Sequence, residues 1–307
     1  MLSKPPRAET TPERLLQRLE WKVIRRLDGL LQGDYRTLFY GHGIDFADLR
    51  EYQPGDDIRH MDWNVTARMD TPFVRSYIED REVTAWFLLD LSRSMGFGPA
   101  ERPKESVLID LVTTLARLLT RGGNRVGAIL YSGTLEPTIS PGSSRMHVLR
   151  LVHTLLYDLA VPVGTATDLK ILLGAGLNTI QRRSLVFLLS DFFSEPGWAG
   201  TLSQLNRRHE LVAIRLWDPH ETQMPDAGFV VLEDSETGEQ EYVDTSQPEF
   251  RRRFQEAAAQ HEAQLNAGFQ RAGVDAFSIS TQEDLVTALV RMAGLRKRRR
   301  RRAGRWT

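Results

Sequence analysis

From residue 83 onward the chain is organised by short, unbroken apolar runs: VTAWFLLD (83–90), RVGAILYS (125–132), SLVFLLSD (184–191), ELVAIRLW (210–217) and VDAFSIS (274–280). Runs of this length without polar alternation mark strands buried on both faces of a parallel sheet. Between them, apolar residues recur at three- and four-residue steps. That spacing predicts helices over Glu105–Thr120, Arg145–Leu159, Asp168–Ile180, Ala199–Arg208 and Pro248–Ala272, and a last one from Gln282 to Gly294. Strands alternating with helices imply right-handed crossovers, so the expected fold class is α/β, a doubly wound, mostly parallel Rossmann-like sheet. An antiparallel edge is expected at or near Pro137–Ser140. Residues 226–245 read as a small β-hairpin insertion with Glu236-Thr237-Gly238 at its turn.

The first eighty residues follow other rhythms. Leu15, Leu16, Leu19, Val23, Leu27, Leu30 and Leu31 predict an amphipathic helix from Pro12 to about Gly33, with its apolar stripe packed on the body. Residues 41–82 are rich in charged and aromatic side chains but poor in long apolar runs. There Pro54-Gly55 signals a turn, and Asp56 or Asp57 is expected to cap a short helix through Asp62, Trp63 and Ala67. Phe73, Arg75 and Tyr77 alternate with Val74, Ser76 and Ile78 as in a strand. The expected organisation is an N-terminal tail and helix (1–40), a segment lying across the core (41–82), an α/β domain (83–294) and a basic tail (295–307).

Composition narrows the function classes. A chain of 307 residues with 41% hydrophobic and 26% charged residues is not wholly disordered. The absence of cysteine excludes disulfides, thiol nucleophiles, iron–sulfur clusters and cysteine-ligated zinc. No apolar run approaches the ~18 residues of a membrane span, and the N-terminus lacks the apolar core of a secretory signal, so a soluble cytoplasmic protein is expected. The net charge of zero conceals an asymmetry: eight of the 40 Lys and Arg lie in the last thirteen residues, LRKRRRRRAGRWT. The remainder is acidic, with a basic appendage that is expected to fray beyond the last helix.

In an open parallel sheet, ligands bind beyond the carboxyl ends of the strands. After the first apolar run comes Asp90-Leu91-Ser92-Arg93-Ser94-Met95, after the third Ser190-Asp191-Phe192-Phe193, and ahead of the third run's helix Gly164-Thr165-Ala166-Thr167-Asp168. One such loop would be read as helix capping. Three loops offering carboxylates and hydroxyls at one edge suit a hard, oxygen-liganded cation such as Mg²⁺. Signals for catalysis are missing: no G-x-S-x-G elbow, no H-E-x-x-H, and no lysine in the Gly-rich stretches Gly41-His42-Gly43 and Gly122-Gly123. Ser92 stands where a haloacid-dehalogenase-type phosphatase needs a second aspartate.

Asp90-x-Ser92-x-Ser94, Thr167 and Asp191 resemble the metal-ion-dependent adhesion site of von Willebrand factor A domains, with Thr165 the competing threonine. The upstream stretch Phe46…Leu49-Arg50-Glu51-Tyr52-Gln53-Pro54-Gly55-Asp56-Asp57-Ile58-Arg59…Asp62-Trp63…Ala67-Arg68 resembles the signature of the bacterial domain of unknown function 58 family. The resemblance implies that Ser92, Ser94 and Thr167 ligate Mg²⁺ or another divalent cation, and that Asp90 and Asp191 act directly or through water. A partner's Asp or Glu would complete the coordination. It further implies a non-enzymatic interaction module working with a MoxR-type AAA+ ATPase on a client protein. Arg50, Tyr52, Asp56, Asp57, Arg59, Asp62, Trp63 and Arg68 read either as a cap and salt-bridge network or as a partner-docking surface. The competing function, from another class, is binding of nucleic acid or an anionic surface through the Arg-rich tail.

Overall fold

A computed structural model describes residues 11–31, 48–53, 56, 58, 61–69, 71–76, 83–157, 166–234 and 238–303. The chain divides into two compact units, residues 39–82 and the remainder.

The larger unit is built on a six-stranded sheet. The five apolar runs form its parallel strands: β3 (Thr84–Asp90), β4 (Arg125–Tyr131), β6 (Leu185–Ser190), β7 (Glu210–Trp217) and β10 (Asp275–Ser280). They are ordered β10-β7-β6-β3-β4, with β5 (Ile139–Gly142) antiparallel at the β4 edge. The expected antiparallel edge at 137–140 is thus present, two residues further on. In this mixed α/β, Rossmann-like arrangement β3 lies between β4 and β6, and every residue from Ala85 to Asp90 is buried.

Helices cover both faces. On one, α6 (Leu169–Thr179), α7 (Trp198–Arg208) and α8 (Pro248–Ala272) enclose a core of Leu88, Val186, Leu188, Leu173, Leu205 and Phe269. From the other side α4 (Lys104–Arg121) packs on β4 and β7, and α5 (Arg145–Tyr157) packs on α4. The N-terminal helix runs as α1 (Pro12–Leu19), a widened turn (Glu20–Ile24) and α2 (Arg25–Leu31). Its stripe of Leu15, Leu16, Leu19, Val23, Ile24 and Leu27 is buried, and α1 lies against α4 and α5. Leu30 departs from the expected stripe and is exposed. A hairpin of β8 (Phe229–Glu233) and β9 (Gln240–Asp244) forms the insertion; turn residues 235–237 lie outside the described residues.

The C-terminus differs from expectation. Arg296–Arg302 do not fray beyond the last helix, because α9 (Leu285–Ala303) runs through them. Arginine is a good helix former, and cations near a helix C-terminus interact favourably with the exposed carbonyls. Arg296 is buried and paired with Glu210, so it belongs to the body and not to a free basic tail.

In the smaller unit, β1 (Asp48–Glu51) pairs antiparallel with β2 (Phe73–Ser76), and α3 spans Trp63–Met69. The cap is a correction. Asp56 does not start this helix: Asp62 Oδ1 accepts the Val65 N–H at 3.2 Å. Asp62 immediately precedes the helix, whereas Asp56 is too far upstream and instead accepts the Gln53 N–H at 2.9 Å, closing a turn. Pro54, Gly55, Asp57, Arg59, Tyr77 and Ile78 lie outside the described residues.

Two helical glycines give opposite expectations for one substitution. A Cβ on Gly268 of α8 would stand 2.8 Å from the Trp198 ring, which is wedged among Phe192 and Phe269. Gly268→Ala should lower stability by roughly 1–3 kcal/mol by overpacking, despite alanine's better helix propensity. Gly174 of α6 has nothing within 4 Å of its Cβ position. Gly174→Ala should raise stability by up to about 1 kcal/mol. Urea denaturation of the two variants checks both signs.

Candidate metal centre at the carboxyl edge of the sheet

Strands β3 and β6 are parallel neighbours in register, Leu89 opposite Leu189, so the residues that follow them emerge side by side. Asp90 closes β3 and is fully buried. Its Oδ1 accepts the Ser92 N–H at 3.0 Å, and its Oδ2 accepts the Ser190 hydroxyl at 2.6 Å across the strand pair. Ser190 Oγ in turn accepts the Phe192 N–H at 2.8 Å. The D-x-S-x-S loop then turns into a short helical turn, Arg93–Gly96, and brings Ser92 Oγ within 3.1 Å of Ser94 Oγ. Both serines are buried.

Thr167 lies immediately ahead of α6 and is 1% exposed. Asp168 caps that helix through the Lys170 N–H at 2.9 Å. The segment is fixed on three sides: Asp168 N–H donates to the Tyr131 hydroxyl at 3.2 Å, Thr167 O accepts the Glu195 N–H at 2.9 Å, and Leu169 N–H donates to Ser194 Oγ at 3.0 Å. The last two contacts tie it to the loop after β6. Thr165 lies outside the described residues.

Asp191, also fully buried, accepts the Phe193 N–H at Oδ1 (3.0 Å) and the Lys104 ammonium at Oδ2 (2.6 Å). Phe192 supports this turn from a left-handed backbone conformation, φ 63°, which is uncommon for a bulky residue and concentrated at functional sites. It sends its own ring into the core against Trp198 and Phe269. Phe193 faces the other way, stacked on His261 and 5.4 Å from the Lys104 ammonium.

Lys104 went unnoticed in the sequence. It opens α4, is 1% exposed, and bridges Asp191 and Glu221. A signal was available: a lysine in the first turn sits at the positive end of the helix macrodipole and needs a reason to be there. Glu221 is delivered by the turn after β7. Asp218 Oδ1 accepts the His220 N–H at 2.9 Å, while Asp218 N–H donates to Glu221 Oε2 at 3.3 Å, a reciprocal cap legible in Asp218-Pro219-His220-Glu221.

The electrostatics of this edge are set first by burial and then by neighbouring charges. Burial, with the Asp191 charge beside it, pushes the Asp90 carboxyl up to about 6 against the hydrogen bonds from Ser190 and Ser92. Burial likewise raises Glu221 beyond what Lys104 recovers. Burial opposes the Lys104 charge too, yet the Asp191 and Glu221 carboxylates outweigh it and hold that pKa above the ordinary lysine value. Among the described residues no group of three or more His, Cys, Asp or Glu could hold a metal by itself. A cation here would therefore use the hydroxyls of Ser92, Ser94 and Thr167 as ligands. Asp90 and Asp191 have both oxygens engaged by donors and suit the holding of metal-bound water. The buried, negatively biased oxygens fit a hard divalent cation.

All five proposed metal-site residues are buried: Asp90 at the end of β3, Ser92 and Ser94 after it, Asp191 after β6 and Thr167 ahead of α6. Of the upstream residues, Asp57 and Arg59 lie outside the described residues, and the others have separate local roles or exposures. Asp62 caps α3, Asp56 closes a turn, Tyr52 is half-buried beside β1, and Trp63 and Arg68 are exposed. Arg50 faces Val74 in the β1–β2 register.

Comparison with known proteins places the chain. Residues 48–264 match the family described as "Protein of unknown function DUF58", and the chain belongs to that family. The uncharacterized protein Rv1480 of Mycobacterium tuberculosis is 35% identical over 283 residues, covering 92% of this chain and 89% of that one. An uncharacterized Mycobacterium bovis protein, Mb1516, matches to the same extent. Among solved structures, an aerotolerance-related membrane protein from Bacteroides fragilis aligns at 12% identity over 70% of this chain and 99% of its own, TM-score 0.47. The conserved hypothetical protein BatB from Bacteroides thetaiotaomicron aligns at 12% identity over the same shares, TM-score 0.45. These structural likenesses are too distant to bear on function. No helix among the described residues is long and apolar enough to cross a membrane.

The raised Asp90 pKa has a signed consequence for the metal-free protein. Between the unfolded value of 3.8 and the folded value of about 6, the folded state binds the extra proton, so this group adds stability as pH falls through 6. In EDTA, Asp90→Asn should be more stable than the wild type at pH 7.5 by roughly 2–3 kcal/mol. The difference should shrink to about 1 kcal/mol near pH 4.5 and vanish only once the pH is well below the unfolded value of 3.8. Thermal melts of both proteins across that range check it; a variant less stable at pH 7.5 would refute the assignment.

Proposed function

We propose that this chain is a von Willebrand factor A-type, metal-dependent protein-interaction module and not an enzyme. Ser92, Ser94 and Thr167 offer their hydroxyls to one divalent cation, with Mg²⁺ the chemically best-suited candidate, while Asp90 and Asp191 hold its bound water. The reading is supported by one observation: two fully buried aspartates and the paired hydroxyls of Ser92 and Ser94 lie where β3 and β6 end, with Thr167 buried on a segment tied to the loop after β6, and burial and the Asp191 charge push Asp90 up to about 6. Neutral hydroxyl ligands leave a divalent cation incompletely neutralised, so it still attracts an acidic group from outside. The natural consequence is recognition of a partner through a single Asp or Glu at the open coordination position.

A MoxR-type AAA+ ATPase is the partner this reading favours, with remodelling, activation or assembly of a client as the joint task. Support for the partner is the family membership together with the Tyr52-Gln53-Pro54-Gly55-Asp56-Asp57 and Asp62-Trp63 motifs, an inference by association and not from the chemistry of the edge.

Calorimetry tests the metal. Wild type should take up one Mg²⁺ per chain, Asp90→Ala none, and Ser92→Ala should bind more weakly than wild type while still binding. A purified MoxR-type ATPase should bind wild type in Mg²⁺ and release it in EDTA. Equal Mg²⁺ uptake by wild type and Asp90→Ala, or ATPase binding that is indifferent to EDTA, contradicts the reading.

A further inference from the structure

The metal edge contains a cation of its own. The Lys104 ammonium is 1% exposed and lies 2.6 Å from Asp191 Oδ2, in contact with Glu221, and with the rings of Phe97 and Phe193 at 5.7 and 5.4 Å. These groups come from four places: the loop after β3 (Phe97), the start of α4 (Lys104), the loop after β6 (Asp191, Phe193) and the turn after β7 (Glu221). A lysine desolvated this completely is retained only where nearby carboxylates repay its burial. Here they do more than that. Asp191 interacts with Asp90, Lys104 and Glu221, and the three buried carboxylates carry three negative charges against the one positive charge of Lys104. The fully ionised edge is therefore left with two negative charges, the complement of one divalent cation.

We propose that Lys104 is the charge-setting residue of this edge: it stays on Asp191 and Glu221 when the metal binds, lowers the intrinsic metal affinity, and offsets one carboxylate charge so that the surroundings of the incompletely neutralised cation do not repel an acidic partner group. The inference rests on the metal-site reading above and extends it to regulation of the same site. Lys104 engages Asp191 Oδ2 and the Phe193 N–H engages Oδ1, so Asp191 faces the ion through water. Without Lys104 the edge would hold three negative charges and grip the ion harder. The loaded site would then keep a net negative charge and repel a carboxylate. Glu221 works in the opposite direction: by sharing Lys104 it leaves part of the Asp191 charge available to the ion.

Two variants of the full chain move Mg²⁺ affinity in opposite directions. Lys104→Met keeps the length and apolar stem of the side chain and removes its charge; Mg²⁺ should bind about tenfold or more tightly than to wild type, since a unit charge a few ångströms away in a protein interior is worth at least that much. Glu221→Gln leaves Lys104 wholly to Asp191, and Mg²⁺ should bind about tenfold or more weakly. Isothermal titration with Mg²⁺ alone measures both. Thermal melts supply a second readout: Lys104→Met should be less stable than wild type in EDTA and gain more from saturating Mg²⁺. If Lys104→Met fails to fold without metal, Glu221→Gln still decides. A lysine that only pins the start of α4 would leave Mg²⁺ affinity the same in all three proteins, and that result overturns the inference while sparing the metal site. A wild type that binds no Mg²⁺ overturns both.

Discussion

The structure depends on the burial of carboxylates where the central strands of a parallel sheet end. Asp90 and Asp191 sit at the carboxyl ends of adjacent strands, both fully buried, and each charge raises the cost of the other. Such a pair persists only with compensation, which comes from three sources. Hydroxyl and amide donors from Ser190, Ser92 and Phe193 satisfy most of the oxygens, and Lys104 supplies one positive charge. Burial and the Asp191 charge still push the Asp90 carboxyl up to about 6. A divalent cation is the simplest remedy, and the buried Ser92, Ser94 and Thr167 hydroxyls are of the right chemistry to bind it.

The scaffold makes this arrangement affordable. Because β3 lies between β4 and β6, with helices on both faces, the edge loops are anchored on two central strands that are buried along almost their whole length. Phe192, with its left-handed backbone, lets consecutive residues face opposite ways: Phe192 into the core, Phe193 toward Lys104. The Thr167 segment is tied by backbone and hydroxyl contacts to the loop after β6. The hydroxyls are therefore held by packed elements and not by mobile loops, which is what preorganised ion binding requires.

Much of this was legible in the sequence, for identifiable reasons. Continuous apolar runs report burial on two faces, and burial on two faces defines central parallel strands, so the five strands and the edge they share could be read directly. D-x-S-x-S is a local spacing, and locality is what sequence patterns preserve. Lys104 and Glu221 were missed because their meaning is non-local: Lys104 lies 87 residues from Asp191 and 117 from Glu221, and only the fold joins them. The helix cap was misplaced because Asp56, Asp57 and Asp62 are chemically equivalent caps, and only backbone position selects Asp62. The basic C-terminus was read by charge as a solvated tail. Helix propensity and one ion-pair partner, the half-buried Glu210, make Arg296 part of the body instead.

The central claim concerns where a cation sits and what stays beside it. Crystals grown with Mn²⁺ in place of Mg²⁺ allow anomalous diffraction to locate the ion directly. The expected result is one anomalous peak at about 2.2 Å from the hydroxyls of Ser92, Ser94 and Thr167, with Lys104 still bonded to Asp191 and Glu221. No peak at this edge, or an ion bound directly to Asp191 with Lys104 displaced, would contradict it.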